Sequence, residues 1–293
     1  MHLLMILGVL ALCWFVRQER STKKGLWSVR WQRTLTSFLL PPCLLMTTAL
    51  AILWMGSGGA TFSFWDGNLT YGLAWGFLFF SAIQGLNLAW SGIKFLRQVQ
   101  TYSLVEVQGI SCRRLDTAAP FIAQVGFWNP QLLVSQGLLD SLDQEHLEAV
   151  LSHEQAHHYY RDTFWFFWLG WLRRATYWLP NTQSLWEELL ALRELRADSW
   201  AAQQVDVFAL AESLVLVVNP GSTPVESELL CAGIAAQSPS RLEERVEALL
   251  AGQDSSTSFS LGFFLWLSLI LIPFAALPFH THCVCPFLKS GLF

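Results

Sequence analysis

The stretch Glu148-Ala149-Val150-Leu151-Ser152-His153-Glu154-Gln155-Ala156-His157-His158-Tyr159-Tyr160 decides how this chain reads. Leu147, Val150 and Leu151 form an apolar stripe at helical spacing, and Ser141 with Gln144 has the spacing of a capping box, so a helix is expected up to about Tyr160. On that helix His153 and His157 lie one turn apart on one face, where both imidazoles can ligate a single zinc ion. Glu154 is rotated by about 100° from His153. It is poorly placed to ligate the same ion and well placed to take a proton from a water in the ion's open coordination position. His158 falls off the ligand face. The expected chemistry is zinc-dependent peptide-bond hydrolysis, with Glu154 as the catalytic residue.

A solvated polar face on a surface helix would contain the same residue types, so the reading needs a third protein ligand. Glu194, in Arg193-Glu194-Leu195-Arg196-Ala197-Asp198, supplies it, 194 − 157 = 37 residues beyond the second histidine. Asp198 lies one turn further along the same face and can orient a ligating histidine through its distal ring N–H. Glu187 and Glu188 are the competing carboxylates. Tyr159, Tyr177 and Arg245 are candidates to stabilise an oxyanion.

The chain around this core has the composition of a membrane protein. Of 293 residues, 53% are hydrophobic and only 14% charged, against about 25% charged in a typical soluble domain. The deficit is concentrated in long apolar runs at 3–16, 35–55, 69–90 and 259–279, and Trp14, Trp54 and Trp90 lie at run ends, where indole rings favour the headgroup level. The first run is short for a span, but its charges (Arg17, Arg20, Lys23, Lys24) follow it, so an uncleaved anchor is expected rather than a signal peptide. A further apolar, Trp-rich segment, 164–180, holds Arg173 and Arg174 at its middle and is expected to lie in the membrane interface rather than to cross. Positive residues flank the first and third runs while 56–68 has none, which places 99–258 in the cytoplasm and the C-terminal tail outside.

The expected organisation is a transmembrane region at 1–98, a cytoplasmic metallopeptidase domain at 99–258, and a final span with a short tail at 259–293. Strands are expected at Ser103–Gln108, Phe121–Val125 and Gln131–Ser135, the last two forming a hairpin about Asn129-Pro130. Helices are expected from Asn181–Ser184 past Asp198 and over Arg241–Leu250. A net charge of −4 without a basic tract excludes a nucleic-acid surface, and six scattered cysteines with no CxxC pair exclude a zinc ribbon. The tail residues His280, His282, Cys283 and Cys285 are read as a disordered or locally oxidised end in preference to a second metal site.

The stretch Phe121 to Asp162, with its Asn-Pro turn, Gly137-Leu138-Leu139 and Glu148 to Glu154, resembles the BlaR/MecR-type membrane metallopeptidases. Glu194-x-x-Ala197-Asp198 is similar to the third-ligand motif there and in the related HtpX-type proteases. Ser238-Pro239 to Leu249 resembles a late helix motif of both, with Arg245 at its recurrent arginine and Ser238 where the HtpX-type motif usually has histidine. The resemblance implies a mainly α-helical integral membrane protein with a small α+β, zincin-like metallopeptidase domain inserted between transmembrane helices. It implies one Zn2+ on His153, His157 and Glu194, with Asp198 and Arg245 in support. It also implies a protein substrate at the cytoplasmic face of a bacterial inner membrane, a transcriptional repressor being the substrate suggested by BlaR/MecR. An HtpX-like quality-control protease and an inactive scaffold are the alternatives. BlaR-type receptors continue past their last span into a penicillin-binding domain. Here about 14 residues follow position 279 (293 − 279), and no such sensor is expected.

Overall fold

The computed structural model describes residues 2–18, 27–55, 64–217, 239–252 and 261–275. Ser238, the tail from 276, the basic residues Arg20, Lys23 and Lys24, and the loop 56–63 lie outside them. The chain is mostly helical, with one small sheet, and divides into two compact units. The first comprises Met1–Leu86, Trp171–Trp186 and Ser258–Phe293; the second comprises Asn87–Gly170 and Glu187–Thr257.

The first unit holds α1 (His2–Gln18), α2 (Trp27–Met55) and the start of α3 (Phe64–Gln100). Cys13, Leu44 and Leu179 form one of its buried clusters, and Ala49, Ile52 and Ala74 another. Pro41 and Pro42 stand inside α2. Pro42 has no N–H for the carbonyl of Phe38 four residues before it, and the buried Arg17 donates Nη2 to that oxygen at 3.1 Å. Two helices, Trp27–Met55 and Asn68–Gln100, are long and apolar enough to cross a membrane, although more than half of the first one's apolar window is buried within the protein. The run expected as a span at 259–279 is helical over its described part, 261–275. α10 (Leu261–Ser268) passes into a 3-10 turn, Leu269–Leu271, before α11 (Ile272–Ala275). Pro273 cannot donate to the carbonyl of Leu269, and the tighter turn accommodates that loss.

The second unit is built around a sheet of order β1-β2-β4-β3: β1 Ser103–Val107, β2 Ile110–Leu115, β3 Ile122–Val125 and β4 Gln131–Ser135. Strand β2 was not expected from the sequence. It pairs antiparallel with β1 across Gln108 and Gly109, both at positive φ (49° and 79°), the requirement of a tight type I′ turn. β2 then pairs parallel with β4, and β3 pairs antiparallel with β4 at the sheet's edge. Ser135 closes β4 and caps α4 (Gln136–Ser141): its Oγ accepts from Leu138 N at 3.1 Å and from Phe121 N at 2.8 Å. At Gly137 a Cβ would lie 2.0 Å from the carbonyl oxygen of Ala118, so the chain's close approach there needs glycine.

Helix α5 (Gln144–Tyr159) is the centre of this unit. Its cap is Asp143, whose Oδ1 accepts from His146 N at 2.9 Å, and not the expected Ser141, which ends α4. One side of α5 packs Val150 and Leu151 against Cys112, Leu132 and Val134 of the sheet. Full burial of such side chains contributes roughly 1.5–3 kcal/mol each. The other side packs Ala149 against Ala201, Leu210, Leu214 and Leu249. These come from the end of α7 (Thr182–Ala201), the middle of α8 (Val207–Val217) and the end of α9 (Pro239–Leu250). The opposite face of the sheet packs Val125 and Leu133 on Val99, at the end of α3. α5 ends at Tyr159 with Tyr160 as its cap, and Arg161, at a φ of 53°, reverses the chain into α6 (Asp162–Ala175).

Candidate metal centre

The two faces that fix α5 also fix the direction of the residues between them. His153, Glu154 and His157 are all buried on it, while His158 is exposed. Glu194 and Asp198 are buried on α7. His153 Nε2 lies 3.1 Å from His157 Nε2 and 3.3 Å from Glu194 Oε2, and His157 Nε2 lies 3.6 Å from Glu194 Oε1. Tetrahedral zinc with bonds of about 2.05 Å holds its ligand atoms about 3.3 Å apart. Two imidazole nitrogens and one carboxylate at these separations therefore suit a zinc ion, and they form the only metal-competent group of three among the described residues.

The outer partners of the ligands explain how the rings are held. His157 Nδ1 donates to Asp162 Oδ2 at 2.8 Å. His153 Nδ1 lies 2.8 Å from Asp198 Oδ1, in a contact bent from linear. With both Nδ1 atoms facing carboxylates, both Nε2 lone pairs face each other. Two acceptors 3.1 Å apart repel unless a proton or a cation lies between them. Each carboxylate is in turn met by a guanidinium. Arg196 pairs with Asp162. Arg245 grips Asp198 through Nε (2.6 Å) and Nη2 (2.7 Å). Arg193 grips Glu194 Oε1 through Nε (2.9 Å) and Nη2 (2.5 Å). Arg245 Nη1 also stands 3.6 Å from Glu194 Oε2.

These contacts set the charge states. Burial disfavours the His157 imidazolium, but Glu194 and Asp162 outweigh it and raise the ring from 6.5 to about 9. His153 is raised as well: burial opposes the charge, and Asp198 and Glu194 favour it. Burial likewise opposes ionisation of Glu194, but the Arg193 guanidinium and the His157 ring hold its carboxyl well below the usual carboxylate range. Glu154 Oε2 is buried and has no hydrogen-bond partner. An acceptor with no assigned donor, beside three candidate ligands, suits a residue that takes up a proton.

The structure brings together His153, Glu154, His157, Glu194, Asp198 and Arg245. Of the competing carboxylates, Glu188 pairs instead with Arg241 at 3.1 Å, and Glu187 is exposed. Arg245 has its donors committed to carboxylates, Tyr159 is exposed and stacked on Trp200, and Tyr177 is exposed in the other unit. Asp162, Arg193 and Arg196 had not been expected to take part. The one signal for Asp162 was a lone acid opening an aromatic run five residues after His157.

Two histidines and a glutamate close on one point as a group that could hold a metal ion, with Glu154 next to His153 on the same helix. The model of Peptidase family M48 matches residues 121–251, a span that contains every residue of the centre. The match supports a metallopeptidase function. No curated protein matches the chain.

Proposed function

We propose that this chain is a membrane-bound, zinc-dependent endopeptidase. His153, His157 and Glu194 hold the ion, with Asp162 and Asp198 keeping each ring's Nε2 turned inward and Arg193 steadying Glu194. Bound zinc would lower the pKa of a water and polarise a substrate carbonyl. Glu154 takes the proton from the attacking water and returns it to the leaving amine. The observation that carries the reading is the pair of Nε2 atoms, 3.1 Å apart and within 3.6 Å of the Glu194 carboxylate, beside a buried and unpartnered Glu154 Oε2.

The substrate is a protein at the cytoplasmic face of a bacterial inner membrane, and the BlaR/MecR likeness makes a transcriptional repressor the first candidate. Two apolar helices support the membrane assignment. α6 has 14 residues, about 21 Å at 1.5 Å each, which is too short for a hydrocarbon core of about 30 Å. Exposed Trp165 and Trp168 on it support an interfacial placement. The test is a comparison of the proteomes of cells expressing wild type or Glu154→Gln. The variant should keep its zinc, and a fragment that disappears with it identifies a substrate. If no fragment differs between the two while both proteins are zinc-loaded, the peptidase reading fails.

A further inference from the structure

Edge strand β3 alternates as a packed strand should. Ala123 and Val125 face the cluster at the end of α3, and Ile122 faces α5 with Leu132 and Val134. Gln124 shares the side of Ile122 and is thus, like Arg114 of β2, a polar residue on the helix-facing side of the sheet. Its amide Nε2 donates to the backbone oxygen of Glu154 at 3.4 Å. A planar amide that spends its N–H on the helix directs its oxygen elsewhere, and Gln124 Oε1 is buried with no partner. Two unpartnered buried acceptors, Gln124 Oε1 and Glu154 Oε2, therefore belong to the strand and the helix turn that meet at Glu154. Such atoms are costly unless a donor meets them during function. A peptide backbone offers an N–H at every residue except proline. A neutral amide can accept it without competing, as a carboxylate would, for the proton that Glu154 handles.

We infer that Gln124 is a substrate-binding residue whose amide oxygen accepts a hydrogen bond from a backbone N–H of the bound peptide, beside the bond to be cleaved. The inference rests on the peptidase reading above. It makes Gln124 a determinant of where the peptide sits and gives it no share in the proton transfer.

The test uses the full-length chain in detergent with zinc. The probe is a quenched-fluorescence peptide copied from a site at which the wild-type chain cleaves casein, together with a series in which one backbone nitrogen at a time is methylated. Wild type should lose about three- to tenfold in kcat/KM when one particular N–H is methylated, the scale of a single hydrogen bond. Gln124→Leu and Gln124→Met should show that same loss with the unmethylated peptide and no additional loss from methylation at that position. Their zinc content and melting temperature should match wild type, because an apolar side chain suits that face. Undiminished methylation penalties in both variants, an unchanged kcat/KM, or a loss that tracks zinc content would each overturn the inference. A zinc-loaded wild-type chain that cleaves neither casein nor peptide overturns the peptidase reading itself, and the inference with it.

Discussion

Replacing Asp162 by Asn tests the histidine-holding arrangement at the point where two effects separate. Asp162 is buried, receives His157 Nδ1–H at 2.8 Å, and is the carboxylate partner of Arg196. Loss of an outer carboxylate from a ligating histidine typically weakens metal binding 10–100-fold, about 1.4–2.7 kcal/mol. Loss of the charge also deprives the buried Arg196 of its counter-ion, which costs about 3–5 kcal/mol of stability. Asp162→Asn should therefore lower the melting temperature of the metal-free protein and raise the zinc Kd by one to two decades. Adding Arg196→Met removes the charge that faced Asp162 and should recover part of the stability while leaving zinc binding weak. The assays are thermal melts in chelator and competition titration with a fluorescent zinc chelator. If the double variant binds zinc as tightly as wild type, Asp162 does not act through His157, and the argument from the 2.8 Å contact is wrong.

Two further expectations concern pH and topology. His157 is raised from 6.5 to about 9 in the metal-free fold, so its imidazolium stabilises that fold fully below about pH 6.5 and progressively less as pH rises through 9. Zinc must displace that proton, so zinc affinity should climb about tenfold per pH unit across the same window; a zinc affinity that is flat between pH 7 and 9 would refute the assigned proton. A reporter fused after residue 100 should be cytoplasmic and one at the C-terminus external. A cytoplasmic C-terminus would mean that an odd number of segments cross.

The sequence alone revealed α5, β4 and the grouping of His153 with His157 because each carries its signal locally: a 3.6-residue stripe, an apolar run beside Asn129-Pro130, and the four-residue spacing of the two histidines. Strand β2 was hidden because Cys112-Arg113-Arg114 reads as a charged loop, and only the sheet buries Cys112. Helix α8, VFALAESLVLV, is a short apolar run that periodicity cannot assign to helix or strand. Asp162 escaped because its approach to His157 depends on the reversal at Arg161, whose positive φ no residue type announces.

The three-to-three matching of Glu194, Asp162 and Asp198 with Arg193, Arg196 and Arg245 has a consequence for the cell. Small zinc domains whose ligands have no such partners unfold when the metal is withdrawn. Here Glu194 and the carboxylates behind His153 and His157 are tied into ion pairs within the fold, which would hold the centre together without a metal. On the zinc-peptidase reading proposed above, a shortage of zinc would leave a reserve of intact, inactive protein that regains activity when the metal returns.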